Sequence, residues 1–174
     1  MATNFEFIKR VSAIDVNSVD ITDCFTDKYS VYEVHFKTNN VSNNTNIDVR
    51  LLDNTNTAVT TTTYQMAGED LNWSAGYTEV RRSNDTGWLN VGAVSTDEGE
   101  GATGTIRIYN PQDSGQHTFA TSEMSGWNTT STARGRKNSY VEETAQQYKG
   151  IQFFIVTNAS YTTDIEIIVY GVKQ

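Results

Sequence analysis

One cysteine, one proline and two histidines are all that this 174-residue chain holds of three residue types that carry chemistry or break chains. Cys24, alone, allows no internal disulfide and no cysteine-based zinc cluster. With only His35 and His117 as imidazoles, and neither a G-x-S-x-G elbow nor an H-E-x-x-H helix, the sequence shows no nucleophile–base arrangement and no zinc-protease signature. No stretch approaches the 18 or so apolar residues a membrane-spanning helix needs, so no membrane partner is expected. The opening MATNFEFIKR has no basic segment followed by an apolar one, so the expectation is synthesis in a cytoplasm without a secretory leader. Positive charge is also scarce: 13 Lys and Arg face 21 Asp and Glu, a net charge of −8 with pI near 4.7. A surface of that sign repels phosphate backbones, which argues against direct nucleic-acid binding.

What the chain has instead is Thr, Asn and aromatics. Thr suits a pleated surface, and Asn suits turns because it tolerates left-handed backbone. At 37% hydrophobic and 11% aromatic the chain is too apolar for a disordered polymer, and its length fits one domain over residues 1–174. The helix-favouring Ala, Leu and Lys are sparse. These features predict an all-β protein, an antiparallel β-sandwich of jelly-roll type with at most one short helix.

Period-2 patterning places the strands. Residues 5–14 and 18–21 read as the first two. In 28–37, Tyr32, Val34 and Phe36 alternate with Glu33, His35 and Lys37. After an Asn-rich loop over 39–46, Ile47, Val49 and Leu51 alternate with Asp48 and Arg50, read as the returning arm of a hairpin. Residues 64–77 read as a Gly-broken loop carrying Trp73, with strands near 79–82 and 88–94. Gly104–Pro111 reads as a strand with Ile106 and Ile108 inward, stopped by Pro111. Residues 114–139, rich in Gly, Ser and Thr, read as a long functional or interface loop. Residues 142–150 read as one or two helical turns, and 151–156 as the hairpin partner of the closing strand across 157–162.

Few groupings point to chemistry. Gly99-Glu-Gly-Ala-Thr-Gly104 fits G-x-G-x-x-G, but it enters a strand, whereas the phosphate-binding version opens a helix. Asp97, Glu98 and Glu100 lack the alternating spacing of a calcium loop. No cofactor and no metal is therefore expected. A depolymerase would need two carboxylates converging to about 5–9.5 Å, and no pair among the acids stands out. The one concentrated basic patch is Arg134, Arg136 and Lys137, read either as a solvated loop or as an arm docking on an acidic partner through arginine forks. Trp127 lies beside it, and Trp73, Trp88 and Trp127 are candidates for stacking on sugars or anchoring an interface, or equally for capping the core. Six N-x-S/T sequons accompany no visible leader, so glycosylation is not expected.

Three segments resemble a known group. FEFIKRVSAIDVNSVDITDCFTDKYSVYEVHF (5–36), with Phe25, Tyr29 and Tyr32, is similar to the opening of small bacteriophage virion proteins; TIRIYNP (105–111) resembles their mid-chain strand, and IEIIVYGVK (165–173) their closing strand. Asp164 departs from the Gly or Thr that often precedes that last strand. The resemblance implies a non-enzymatic virion building block: a capsid decoration or cement protein, or part of a tail or fibre. No catalytic residues come with it. The partners it implies are copies of the chain, a trimer by expectation, and major capsid or tail proteins, with the virion as location. The alternative is a carbohydrate-binding jelly roll recognising host-surface glycans through its tryptophans.

Overall fold

A computed structural model describes residues 4–39, 41–74, 76–97, 99–127, 132–155 and 160–173. Its strands are β1 (Phe5–Val16), β2 (Ser18–Ile21), β3 (Val31–Thr38), β4 (Thr45–Leu52), β5 (Tyr64–Asn72), β6 (Gly76–Asp85), β7 (Trp88–Val94), β8 (Ala102–Tyr109), β9 (Thr118–Trp127), β10 (Ala133–Glu142), β11 (Gly150–Phe154) and β12 (Tyr161–Val172). No helix occurs among the described residues. The strands form two antiparallel sheets, an eight-stranded one in the order β1-β12-β3-β8-β9-β10-β5-β6 and a four-stranded one in the order β2-β11-β4-β7.

Four pairings define the topology: β2 with β11, β3 with β8, β4 with β7, and β5 with β6. They nest inside one another along the chain, as if one long hairpin had been rolled so that alternate pairs fall in opposite sheets. That is the jelly-roll arrangement. Onto it the chain adds the β9–β10 hairpin, inserted between β8 and β5, and the β1–β12 pair, laid beside β3.

The core follows from the period-2 pattern. Tyr32, Val34 and Phe36 of β3, Ile106 and Ile108 of β8, and Ile165, Ile167 and Val169 of β12 are all buried, against Val19, Ile21, Ile47, Val49, Leu51, Ile151 and Phe153 of the small sheet. Phe25 and Tyr29, in the turn before β3, cap this core, with ring centroids 4.8 and 5.8 Å from Tyr32. Tyr29 also fixes the last strand. Its ring lies so close to Gly171 that a Cβ there would meet it at 2.5 Å, which is why this closing strand carries glycine after Tyr170.

All six non-glycine residues with positive φ among those described are Asn or Asp: Asp15, Asp23, Asn56, Asn84, Asn90 and Asn110. Asp15, Asn84 and Asn90 sit where the β1–β12, β5–β6 and β4–β7 registers shift, so the Asn-rich composition supplies β-bulges as well as turns.

Several sequence expectations are corrected. β3 and β4 are not hairpin arms, since β3 pairs with β12 and β8 while β4 pairs with β11 and β7 in the other sheet. β11 is not the hairpin partner of β12; it lies between β2 and β4. In both cases the chain crosses between sheets, because each strand buries its apolar side against the opposite layer. Residues 64–72 are strand β5, and 114–139 hold most of β9 and β10. Residues 143–149, between β10 and β11, are irregular. They are held by the fully buried Glu142 carboxylate, which accepts bonds from Tyr148 Oη, from Thr63 Oγ1 at 2.5 Å and from the Thr144 amide at 3.0 Å.

Candidate functional site

The interior changes character across the large sheet. Under β12, β3 and β8 it is aliphatic and aromatic; under β9, β10 and β5 the inward side chains include Thr118, Ser122, Arg136, Asn138 and Asp70. Arg136 is only 5% exposed. Its Nε donates to Asp70 Oδ2 at 3.4 Å, and its Nη1 crosses to the small sheet, donating to Asn46 Oδ1 and to the Gly92 carbonyl, both at 2.9 Å. Arg134 Nε donates to the other Asp70 oxygen at 2.5 Å. Asn138 Nδ2 donates to the Asn90 carbonyl at 3.1 Å, and Tyr140 Oη lies 3.1 Å from Ser122 Oγ. Asp48, 3% exposed, accepts the Asn90 amide at 2.7 Å, and burial pushes its carboxyl up to about 6 against the opposing pull of Arg136 and Arg50.

This polar seam ties the two sheets together, and it takes the expected arm apart. Arg136 faces the interior and is committed to Asp70, so it is not a contact residue. Arg134 is half-withdrawn onto the same carboxylate. Lys137 points to the opposite face, where its Nζ pairs with Glu123 at 2.8 Å. Trp127 ends β9 opposite Ala133 and is partly buried. The three basic residues therefore do not form one patch. Sequence reasoning missed this because inward positions filled by Thr, Ser, Arg and Asn leave no hydrophobic alternation to read.

Other sequence candidates fall into place. Trp88 is a core residue, its ring 5.6 Å from Tyr140 and 6.0 Å from Tyr64. The Cys24 thiol is fully buried, donates to the Ile21 carbonyl at 3.3 Å and is pushed up to about 12, which makes it unreactive. Gly99 and Gly101 lead into strand β8, and Gly104 lies within it. Of the acidic trio beside them, Asp97 and Glu100 are described and Glu98 lies outside the described residues. No group of three or more His, Cys, Asp or Glu able to hold a metal occurs among the described residues.

The solvent face of the large sheet is where the chain has something to offer. Along its middle, polar and charged side chains satisfy one another: Arg107 with Glu33 at 2.5 Å, Glu33 with His35 at 2.9 Å, and Lys137 with Glu123. At both ends the face turns aromatic. At the β1 end, Phe5 and Phe7 are exposed, Phe7 by 60%, and both rings pack edge-on against Tyr170 at 6.2 and 6.3 Å. At the β5–β6 end, Trp73 is 86% and Tyr77 68% exposed, with Leu71 beside Tyr77 across the ladder. These residues border an open depression of about 510 Å3 that Ser125 and Arg134 also line. Exposed aromatics clustered this way mark interaction surfaces more often than catalytic ones. Trp73 was visible as a candidate in the sequence; Phe5 and Phe7 were read only as strand residues.

Comparison with known proteins adds little. No protein-family model matches the chain, and no curated protein does. Among solved structures, two double mutants of the alginate lyase Aly36B are similar to it, one in complex with an alginate tetrasaccharide and one with a trisaccharide. Both are 11% identical to it over 95% of this chain, with TM-scores of 0.29 and 0.28 and coverage of 80% and 81% of the lyase chain. Likeness at that level carries no argument about what this chain does.

Proposed function

We propose that the chain is a non-enzymatic structural subunit of a bacteriophage virion, a jelly roll that assembles with copies of itself on a capsid or tail. One observation carries the reading. The three segments that resemble phage virion proteins lie far apart in sequence, yet besides β2 of the small sheet they supply β1, β12, β3 and β8, four consecutive neighbours of the large sheet. That four of the five resembling strands are neighbours in one sheet supports a shared scaffold. The interior chemistry is compatible with this role, since the buried Arg136 and Asn138 donate across to the small sheet and join the two layers. Quantitative mass spectrometry of purified particles of the encoding phage tests it: a stable copy number is expected, large for a head lattice and small for a tail. Absence of the chain from particles overturns it.

A second reading, a module for host-surface glycans, is favoured by the presentation of Trp73 and Tyr77. Aromatic rings held open to solvent beside polar donors such as Arg134 suit stacking on sugar rings. Adding host polysaccharide should then shift the intrinsic fluorescence of the wild type and leave that of Trp73→Ala unmoved; an unmoved wild type removes this reading.

A further inference from the structure

The two aromatic ends lie at opposite edges of one sheet, and among the described residues both edge strands, β1 and β6, pair with a strand on one side only. We propose that one copy's β1 edge, with Phe5 and Phe7, docks on the β5–β6 edge of the next copy, with Leu71 and Tyr77, in a head-to-tail contact that closes into a ring. The proposal rests on the homo-oligomeric reading above and names its interface.

Three features argue for a second copy as the occupant. The first is direction. All neighbours in the eight-stranded sheet are antiparallel, so with an even number of strands β1 and β6 run opposite ways. A neighbour in the same orientation thus presents its β6 antiparallel to β1, and the sheet continues across the contact in its own pattern. The second is charge. The chain carries −8 overall, but β1 balances Glu6 and Asp15 with Lys9 and Arg10, and β6 balances Glu79 and Asp85 with Arg81 and Arg82. The two edges are therefore neutral places on a surface that otherwise repels its own copies. The third is economy of exposure. A two-fold contact of β1 with β1 would leave Leu71, Trp73 and Tyr77 bare, whereas a head-to-tail contact covers both ends at once, and such contacts generate rings when the rotation closes.

Sedimentation of the wild type and of two surface variants tests this. Phe7 and Tyr77 are exposed, so Phe7→Lys and Tyr77→Lys should fold, which circular dichroism checks. The wild type should sediment as a closed oligomer, each variant as a monomer. An equimolar mixture of the two should give a dimer and nothing larger, because each variant keeps one intact edge. An oligomer that Phe7→Lys dissolves and Tyr77→Lys leaves intact would mean a two-fold β1 contact and overturn the proposal. So would an oligomer untouched by either substitution, or a mixture that stays monomeric. A wild type that is monomeric at every concentration, and on the particle, would instead overturn the homo-oligomeric reading itself.

Discussion

Arg136 shows how much a single side chain alters the reading of this molecule. In the sequence it belongs to a basic run, and reversing Arg134, Arg136 and Lys137 together to Glu looks like a clean way to abolish docking while leaving the domain folded. In the structure that triple variant would place a new carboxylate beside Asp70 in the interior. Removing one partner of a buried pair typically costs about 3–5 kcal/mol. Arg136→Gln alone should therefore lower the urea midpoint strongly, while Lys137→Glu, at an exposed site where an ion pair is worth roughly 0–1 kcal/mol, should barely move it. Equal midpoints for the two would contradict the seam. Asp48 makes the complementary case. The groups facing it are Arg136 from β10, Arg50 on its own strand, Asp85 of β6 and the Asn90 amide of β7. Its folded carboxyl titrates near 6, above the usual carboxylate range near 4, so the folded state binds this proton more tightly than the unfolded chain does. The contribution is stabilising below about pH 4 and is lost as pH rises through about 6. Asp48→Asn should remove that component, leaving a stability profile from urea titrations between pH 4 and 7 that rises more with pH than the wild type's. A profile parallel to the wild type's would exclude it.

The strands that were legible in the sequence and those that were not differ in what they bury. Residues 31–38 and 102–109 alternate large apolar with polar side chains, and both were readable because the aliphatic half of the core lies beneath them. Residues 118–127 and 133–142 alternate just as strictly between buried and exposed, but the buried side is Thr118, Ala120, Ser122 and Met124 in one strand and Arg136, Asn138, Tyr140 and Glu142 in the other. Hydrophobicity carries no trace of that alternation, so the stretch looked like a loop. The candidate arm was misplaced for the same reason. The closing strand was legible as a strand, though its partners were not, since it pairs with β1 and β3 and not with β11. Gly171→Ala would press a methyl group into the Tyr29 ring, and overpacking of that kind costs roughly 1–3 kcal/mol. Trimming the ring in Gly171→Ala/Tyr29→Leu should recover part of that loss, and a double-mutant cycle from denaturant melts measures the coupling. Strict additivity would mean that the ring does not determine the glycine.

At the scale of the whole molecule, the nested pairing of β2 with β11 around β3 with β8, β4 with β7 and β5 with β6 could not be read from local pattern, because each partner choice depends on which sheet the chain enters next. Adjacent arms such as β3 and β4 look like a hairpin until the layers are known. The same scale governs assembly. Copies carrying −8 each repel one another through most of their surface, whereas the proposed contact joins two charge-balanced, aromatic edges. Screening length falls from about 30 Å at 0.01 M salt to about 3 Å at 1 M. Added salt should weaken the repulsion over the whole surface while leaving the apolar edge contact in place, so the oligomer should strengthen as ionic strength rises, by sedimentation at fixed protein concentration. A contact built on the basic residues of β10 docking against acidic neighbours would show the opposite slope, dissociating as salt is added. The sign of that slope separates assembly through the ends of the large sheet from assembly through the arm that the sequence first suggested.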